Sequence, residues 1–338
     1  MGVLVKAFVI FFRYTLFNVW FLLVVIPFVL LKFYLKKSIR KLEVNSRLDG
    51  KTVIITGSNT GIGFEAAKEL SYRGARVILA CKNVGSAHLA KAKIIKETRN
   101  DDVEVKRIDL SSMWSVRQFA QEITEGEKRV DMLILNAGIG IIENIKTDDN
   151  LQLCWQVNQF SSVLLINLLL GKMKESGSGK IIFVNSSCHH FGKVNFSKTE
   201  YETSNCPWKI LCNTHLANII TANYLAHKLK NTGITVNTVN PGFINAPHWK
   251  RLKIEFVRFI LKNIEKTYGK DPVDGAATIL TVALDPKLQT VTGQYFRNCR
   301  VSRCKHRQAD NLLLGEQMWK VSEEILELKE EEKYFKNN

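Results

Sequence analysis

The stretch 52-TVIITGSNTGIGFEAAKELSYRG-74 decides the fold. Its first five residues, TVIIT, form a β-branched, apolar run that reads as a buried strand. GIGFEAAKELSYRG (61–74) then shows helical periodicity and ends in glycine. Between strand and helix, TGSNTGIG (56–63) sets Gly57, Gly61 and Gly63 in a tight turn, with Ser58 and Ile62 beside them. A dinucleotide pyrophosphate requires close backbone approach and a helix N-terminus with free N–H groups. Glycines meet both needs, because they turn sharply and carry no side chain. A glycine triplet alone is weak, but this one stands in the strand–turn–helix setting that the motif demands.

The same alternation continues along the chain. ARVILAC (75–81), VEVKRIDL (103–110), DMLILNAG (131–138), GKIIFVNSS (179–187) and GITVNTVNPG (233–242) read as further strands, and GQYF (293–296) as a short last one. SAHLAKAKIIKETR (86–99) reads as a second helix. Strands separated by helices imply right-handed crossovers and a parallel sheet. The expected fold class is therefore α/β, a single doubly wound parallel sheet of Rossmann type.

Residues 1–41 differ from the rest. YTLFNVWFLLVVIPFVLL (14–31) is almost unbroken apolar sequence, long enough for a membrane helix of about 20 residues. No small-residue cleavage site follows, so a signal peptide fits poorly. Lys32, Lys36, Lys37, Arg40 and Lys41 follow the run, against Lys6 and Arg13 before it. That bias places the main domain in the cytosol. Asn18 and Pro27 leave a re-entrant insertion open. The expected partner is a lipid bilayer, at the endoplasmic reticulum or alternatively a lipid droplet. A net charge of +16 on 338 residues fits an anionic partner such as a membrane surface or a phosphate-bearing cofactor. Nucleic acid is set aside, since no recognition motif accompanies the charge. Seven cysteines, an odd number with no CxxC pair, argue for a reducing compartment.

TGxxxGxG spacing resembles the short-chain dehydrogenase/reductase family. Other matches follow in family order: RIDLSS (107–112), LNAG (135–138), VNQF (157–160) and VNPG (239–242). SSCHHFGK (186–193), HLANII (215–220) and GQYF look most like its membrane-anchored retinol dehydrogenase subgroup. The resemblance covers about residues 50–325. It implies a nicotinamide cofactor held by Gly57, Ser58, Gly61, Ile62, Gly63, Asn136, Ala137, Gly138, Pro241 and Gly242, with Asp109 at the adenine ring. It implies Asn158 and Ser186 as active-site residues. At the end of the second strand Cys81 stands where an acidic residue would hold a free ribose, and Lys82 follows. A cation there suits a 2′-phosphate, so NADP(H) is favoured over NAD(H).

The family's proton-transferring Tyr and its Lys four residues on share one helix face. Counting without gaps from SSCHH to LANII puts Leu211 at the Tyr position and His215 at the Lys position. Leucine has no transferable proton, and histidine is shorter than lysine. Both departures weaken the same function, and Ala246 replaces a hydroxyl residue expected after the Pro-Gly turn. YLAHK (224–228) is a literal YxxxK, but Tyr224 lies 13 residues beyond Leu211, ~20 Å along a helix. Tyr201 precedes the helix in a loop, where it could swing inwards. No metal-ligand spacing surrounds His189 and His190, and no metal is expected. Two functions are left standing. One is an NADP(H)-binding protein with impaired or no catalysis, with a lipophilic small molecule as a further expected partner. The other is a working NADP-dependent oxidoreductase on retinoid, steroid or other lipophilic alcohols and carbonyls.

The expected layout is a membrane anchor with basic flank (1–41), a linker (42–50), the dinucleotide-binding domain (51–325) and a solvated charged tail (326–338). Residues 243–270 form a substrate lobe inside that domain. There Leu252, Phe256, Phe259, Ile260 and Ile264 fall near helical spacing, against Lys250, Arg251, Lys253, Arg258, Lys262 and Lys266. Such a helix suits an anionic membrane surface or its own domain equally. A second basic run, RNCRVSRCKHR (297–307), reads as a loop after the last strand.

Overall fold

The computed structural model describes residues 6, 11–15, 18–19, 21–37, 39–40, 44–141, 144–196, 206–244, 255–303 and 306–335. Lys41, Tyr201, Ala246 and the basic residues Lys250, Arg251 and Lys253 lie outside them. The strands are β1 (Thr52–Thr56), β2 (Arg76–Cys81), β3 (Val103–Arg107), β4 (Met132–Leu135), β5 (Gly179–Val184), β6 (Ile234–Asn240), β7 (Tyr295–Arg297) and β8 (Arg300–Val301). The principal helices are α1 (Ile26–Lys37), α2 (Gly61–Tyr72), α3 (Val84–Thr98), α4 (Met113–Gly126) and α5 (Ser161–Glu175). They continue with α6 (Pro207–Lys228), α7 (Glu255–Tyr268), α8 (Pro272–Leu284) and α9 (Leu312–Ile325).

One sheet of order β3-β2-β1-β4-β5-β6-β7-β8 forms the centre, parallel as far as β7. The strand order reverses between β1 and β4, which opens a crevice at the carboxyl ends of the strands. The central strands β1 and β6 are buried along their whole length, because helices cover both faces. One face packs α4, α5, α6 and α9, with Phe119, Trp155, Leu169 and Leu216 in the layer. The other packs α2, α3 and α8, with Ile55, Leu70, Leu79 and Ile279. The expectation of a doubly wound α/β sheet is met.

Helix starts follow local chemistry. Asn83, Ser112 and Asn311 cap α3, α4 and α9 by accepting the N–H of Ser86, Ser115 and Leu314. α6 begins with Pro207 in its first turn.

Two expectations need correction. The run 297–307 is not all loop. Asn298 and Cys299 have φ of 53° and 59°, and they turn the chain so that β8 pairs antiparallel with β7. Left-handed conformation at both central residues is the two-residue hairpin geometry. The tail is not solvated throughout its described part. Leu326 and Leu328 are buried, and Tyr334 and Phe335 pack on the core. Arg117 clamps Glu332 with two hydrogen bonds of 2.6 and 3.1 Å and also donates to the Leu326 carbonyl.

Candidate active site

Two adjoining cavities occupy the crevice. The first, about 770 Å³, is lined by Gly57 and Asn59 of the turn after β1, Lys82 and Asn83 after β2, Asp109 and Ser111 after β3, and Ala137 and Gly138 after β4. The second, about 480 Å³, continues past Ala137 and Gly138 to Ile62, Asn158, Ser186, Leu211, His215, Pro241 and Gly242. Most of the sequence-predicted positions therefore converge on one crevice, from eight segments of the chain, while Ser58, Gly61 and Gly63 line neither cavity.

The glycine turn is held rigidly. Gly57 has φ of 64°, a conformation that favours glycine. A Cβ on Gly63 would collide with the Asn136 amide and lie 2.7 Å from the Gly57 carbonyl oxygen. Asn136 donates to the Thr56 and Gly57 carbonyls at 2.9 and 3.2 Å, and the Thr56 hydroxyl accepts from the Asn136 and Ala137 amides. This knot ties β1 to β4 across the switch point. Ser58 is fully buried, lines neither cavity and turns its hydroxyl inward to the Ile55 carbonyl at 2.9 Å. Thr60 makes no side-chain cap on α2, unlike the caps of α3, α4 and α9. Its N-terminal amides thus keep donor capacity for an anion. Open space surrounds the Cα of Gly61. These features fit a pyrophosphate.

At the outer end, Lys82 Nζ lies 2.8 Å from Asp109 and 3.1 Å from the Ser111 hydroxyl. The Lys82 side chain is 68% exposed, so it can turn from Asp109 toward an added anion. Burial of Asp109 opposes its ionisation, but hydrogen bonds from Lys82 and Ser111 outweigh that and hold its carboxyl below its ordinary value. Cys81 is buried against Ser58, with sulfur and hydroxyl oxygen 3.7 Å apart. Burial raises its thiol pKa.

In the second cavity, Asn158 sits in a π-helical turn (Gln156–Phe160) and clamps Ile139. Its amide accepts from Ile139 N at 2.8 Å and donates to Ile139 O at 3.0 Å. Asn218 of α6 donates to the Asn158 carbonyl, locking α6 onto the turn. Asn185 donates to the His215 carbonyl at 2.8 Å, fixing α6 against the end of β5. Ser186 follows, and its hydroxyl accepts from Cys188 N. His189 donates Nδ1–H to the Ser186 carbonyl at 2.7 Å, since a carbonyl only accepts. Burial holds the His189 pKa down to about 4. Leu211 and His215, one turn apart on α6, both face this cavity. Nδ1 of His215 is buried without a hydrogen-bond partner in the protein. Tyr224 is far along α6, packed on Trp319 with ring centroids 6.1 Å apart. Among the described lining residues there is neither Tyr nor Lys.

Three lining groups escaped the sequence reading. Glu265 of α7 is buried and faces the cavity, although its helix reads as basic and amphipathic. Exposed Phe191 and Trp208, 6.3 Å apart, stand at the cavity wall. Cys188 lines it too, beside Cys212 and His215 of α6. The contact with Cys212 does most to depress the Cys188 pKa, and the Cys212 thiol is correspondingly raised. The SSCHHFGK motif contains Cys188 and Phe191 but gives neither residue's neighbours.

Residues 51–255 match the family described as short chain dehydrogenase. The chain belongs to that family of oxidoreductases. Retinol dehydrogenase 12 of Bos taurus is 36% identical over 280 residues, covering 83% of this chain and 87% of its own length. Retinol dehydrogenase 11 of Homo sapiens is 36% identical over 313 residues, or 91% and 96% of the two chains. Among solved structures, a short chain dehydrogenase from Escherichia coli complexed with NADPH superposes with a TM-score of 0.59 at 23% identity, covering 74% of this chain and 97% of that one. An uncharacterized protein from Mycobacterium paratuberculosis gives a TM-score of 0.67 at 24% identity, with 84% and 96% covered. At these identities the structures speak for the fold alone.

Proposed function

We propose that the protein is a membrane-anchored, NADP(H)-binding short chain dehydrogenase whose proton-transferring machinery is degraded. The observation carrying this is the wall of the second cavity. Asn158 and Ser186 are in place, while the helix face that should offer a phenol and an ammonium offers Leu211 and His215. A bound nicotinamide supplies hydride chemistry. Gly57, Gly61 and Gly63 would hold its phosphates, and Lys82 a 2′-phosphate. Ser186 remains able to hydrogen-bond a substrate oxygen, but Leu211 cannot deliver a proton to it. Loss of a positioned general acid costs about 10²–10⁴-fold in rate, or about 3–5 kcal/mol of barrier. The cation at Lys82 supports the cofactor choice.

The ligand is lipophilic on this reading. Ile139, Phe183, Phe191, Trp208 and Leu211 supply mostly apolar walls. Phe259 and Ile264 of α7 are exposed, as are Phe28, Leu30 and Phe33 of α1. Tyr268 of α7 packs on Phe28 of α1 with ring centroids 6.4 Å apart. An outward apolar surface shared by these two helices suits a bilayer that both anchors the protein and feeds the cavity. The basic flank after the anchor supports a cytosolic position for the domain, at the endoplasmic reticulum or alternatively a lipid droplet.

Full-length protein in detergent micelles tests this. NADPH should raise its melting temperature more than NADH does, while retinal is reduced at about 10² or more below an intact relative such as retinol dehydrogenase 12. Equal turnover, or no shift with NADPH, would overturn the reading. The alternative is a working oxidoreductase in which His215 serves Ser186 as proton donor; both face the cavity, which favours it. On that alternative Ser186→Ala or His215→Phe abolishes retinal reduction.

A further inference from the structure

A third cavity, of about 730 Å³, lies at the amino ends of the strands, on the rim of the sheet away from the cofactor crevice. The starts of β5 and β6, the end of α8 and residues 46–49, which lead into β1, form its walls. Register sets three of its lining residues in one row: Met132 pairs with Lys180, and Lys180 with Thr235. Partners in parallel strands point to the same face. Here that is the face under α8, because Lys180 donates to the Val282 and Ala283 carbonyls at 3.0 and 2.9 Å. An ammonium has three N–H donors, so one remains after these two bonds. Thr235 beside it is 7% exposed, and its hydroxyl has no hydrogen-bond partner among the described residues. Thr292 on the same wall does find one, accepting from Val236 N at 3.0 Å. Buried hydroxyls are ordinarily paired, so the Thr235 hydroxyl points to a ligand. Four cations and two carboxylates line the cavity. Both carboxylates are already held, Asp49 by Arg47 at 2.7 Å and Asp131 by Lys51 at 2.9 Å. The surplus positive charge falls on Lys180 and on exposed Lys230. Burial holds the Lys180 pKa down to about 8, against the pull of Asp285, so it is still a cation at neutral pH and gains from an anion.

We propose that this cavity binds a medium-chain aliphatic carboxylate, with its head group between Lys180 and Thr235 and its chain along Leu48, Met132, Leu229 and Leu284. The Lys180 ammonium and the Thr235 hydroxyl each donate to a carboxylate oxygen. One negative charge matches one ammonium with one donor to give. A phosphate dianion fits less well, because Asp49, Asp131 and Asp285 stand near. The apolar wall takes the chain, as in small-molecule sites generally. The inference goes beyond the proposed function and is independent of whether a nicotinamide binds.

The experiment uses full-length protein in phosphatidylcholine nanodiscs, irradiated at neutral pH with octanoate carrying an alkyl diazirine at its far end. Peptide mass spectrometry then locates the label. Labelling should saturate and fall on the peptides holding Leu48, Met132, Leu229 or Leu284. Octanoate should compete about tenfold or more better than octanol at equal aqueous concentration, the worth of a hydrogen bond to a charged group. Thr235→Val should cut labelling about tenfold without lowering the melting temperature, since it removes only an unpartnered hydroxyl. Lys180→Met should cut it as well, but it also uncaps α8, so Thr235→Val carries the decision if that variant folds poorly. Equal competition by octanol, stronger competition by octyl phosphate, or label confined to the cofactor crevice overturns the proposal. So does a Thr235→Val variant that melts earlier yet labels as the wild type does, which is the mark of a purely structural threonine. NADPH should leave labelling unchanged, and displacement by NADPH also overturns it. A thermal shift with NADPH but no saturable labelling removes this site and leaves the cofactor site standing.

Discussion

At the scale of single residues, Gly63 is the tightest constraint on the cofactor loop. In Gly63→Ala the new methyl must displace the Asn136 amide and the Gly57 carbonyl, which hold β1 to β4. We expect a loss of about 1–3 kcal/mol, the usual cost of overpacking, and loss of the NADPH thermal shift. Urea denaturation with and without NADPH checks both. His189 gives a pH signature. Its folded pKa is about 4, below its ordinary 6.5, because burial disfavours the imidazolium. Between those values the unfolded chain binds more protons, so its contribution is complete above about pH 6.5 and is lost as pH falls toward 4. His189→Asn retains an N–H donor for the Ser186 carbonyl without the titration. The melting temperature of the variant should fall less steeply than that of the wild type across this window. The positions of Leu211, His215 and Ser186 were legible in the sequence, because i and i+4 residues share a helix face whatever surrounds the helix. Cys188 and Glu265 were not. Their significance depends on which strand end and which helix meet across the cavity, and no local spacing encodes that.

At the scale of elements, β1, β2 and β4 could be read from apolar, β-branched runs that are buried nearly throughout, and the glycine turn from its place between β1 and α2. The C-terminal segment was misread for the converse reason. LELKEEEKYFKNN (326–338) reads as a charged, solvated run, yet Arg117 on α4 neutralises Glu332 and lets Tyr334 and Phe335 reach the core. Burial favours the uncharged form of Glu332, but hydrogen bonds from Arg117 and from the backbone keep its carboxyl below its ordinary value. Arg117→Ala should therefore destabilise the protein by about 1.5–3 kcal/mol, the range for hydrogen bonds to charged groups. The check is a lowered urea midpoint with an unchanged slope. The hairpin of β7 and β8 was missed because it rests on left-handed Asn298 and Cys299 rather than on an Asn-Gly signal.

At the scale of the whole molecule, α1 and α7 present apolar side chains outward together, while both active-site cavities lie in the crevice at the carboxyl ends of the strands, with Glu265 of α7 lining the second. Deleting residues 1–40 should weaken membrane association, read by flotation on liposomes, and leave the NADPH thermal shift unchanged. At 100 times its dissociation constant, NADPH should stabilise both forms by about 2.7 kcal/mol. On the proposed reading the molecule keeps the half of its site that holds a nucleotide and has altered the half that moves a proton. The most direct test is NADPH-dependent reduction of retinal by wild type and by the Leu211→Tyr, His215→Lys double variant, after both are shown to bind NADPH. We predict a gain of about 10² or more in kcat for the double variant. Wild-type turnover already equal to that of intact relatives, with no gain on restoring the pair, would contradict the account.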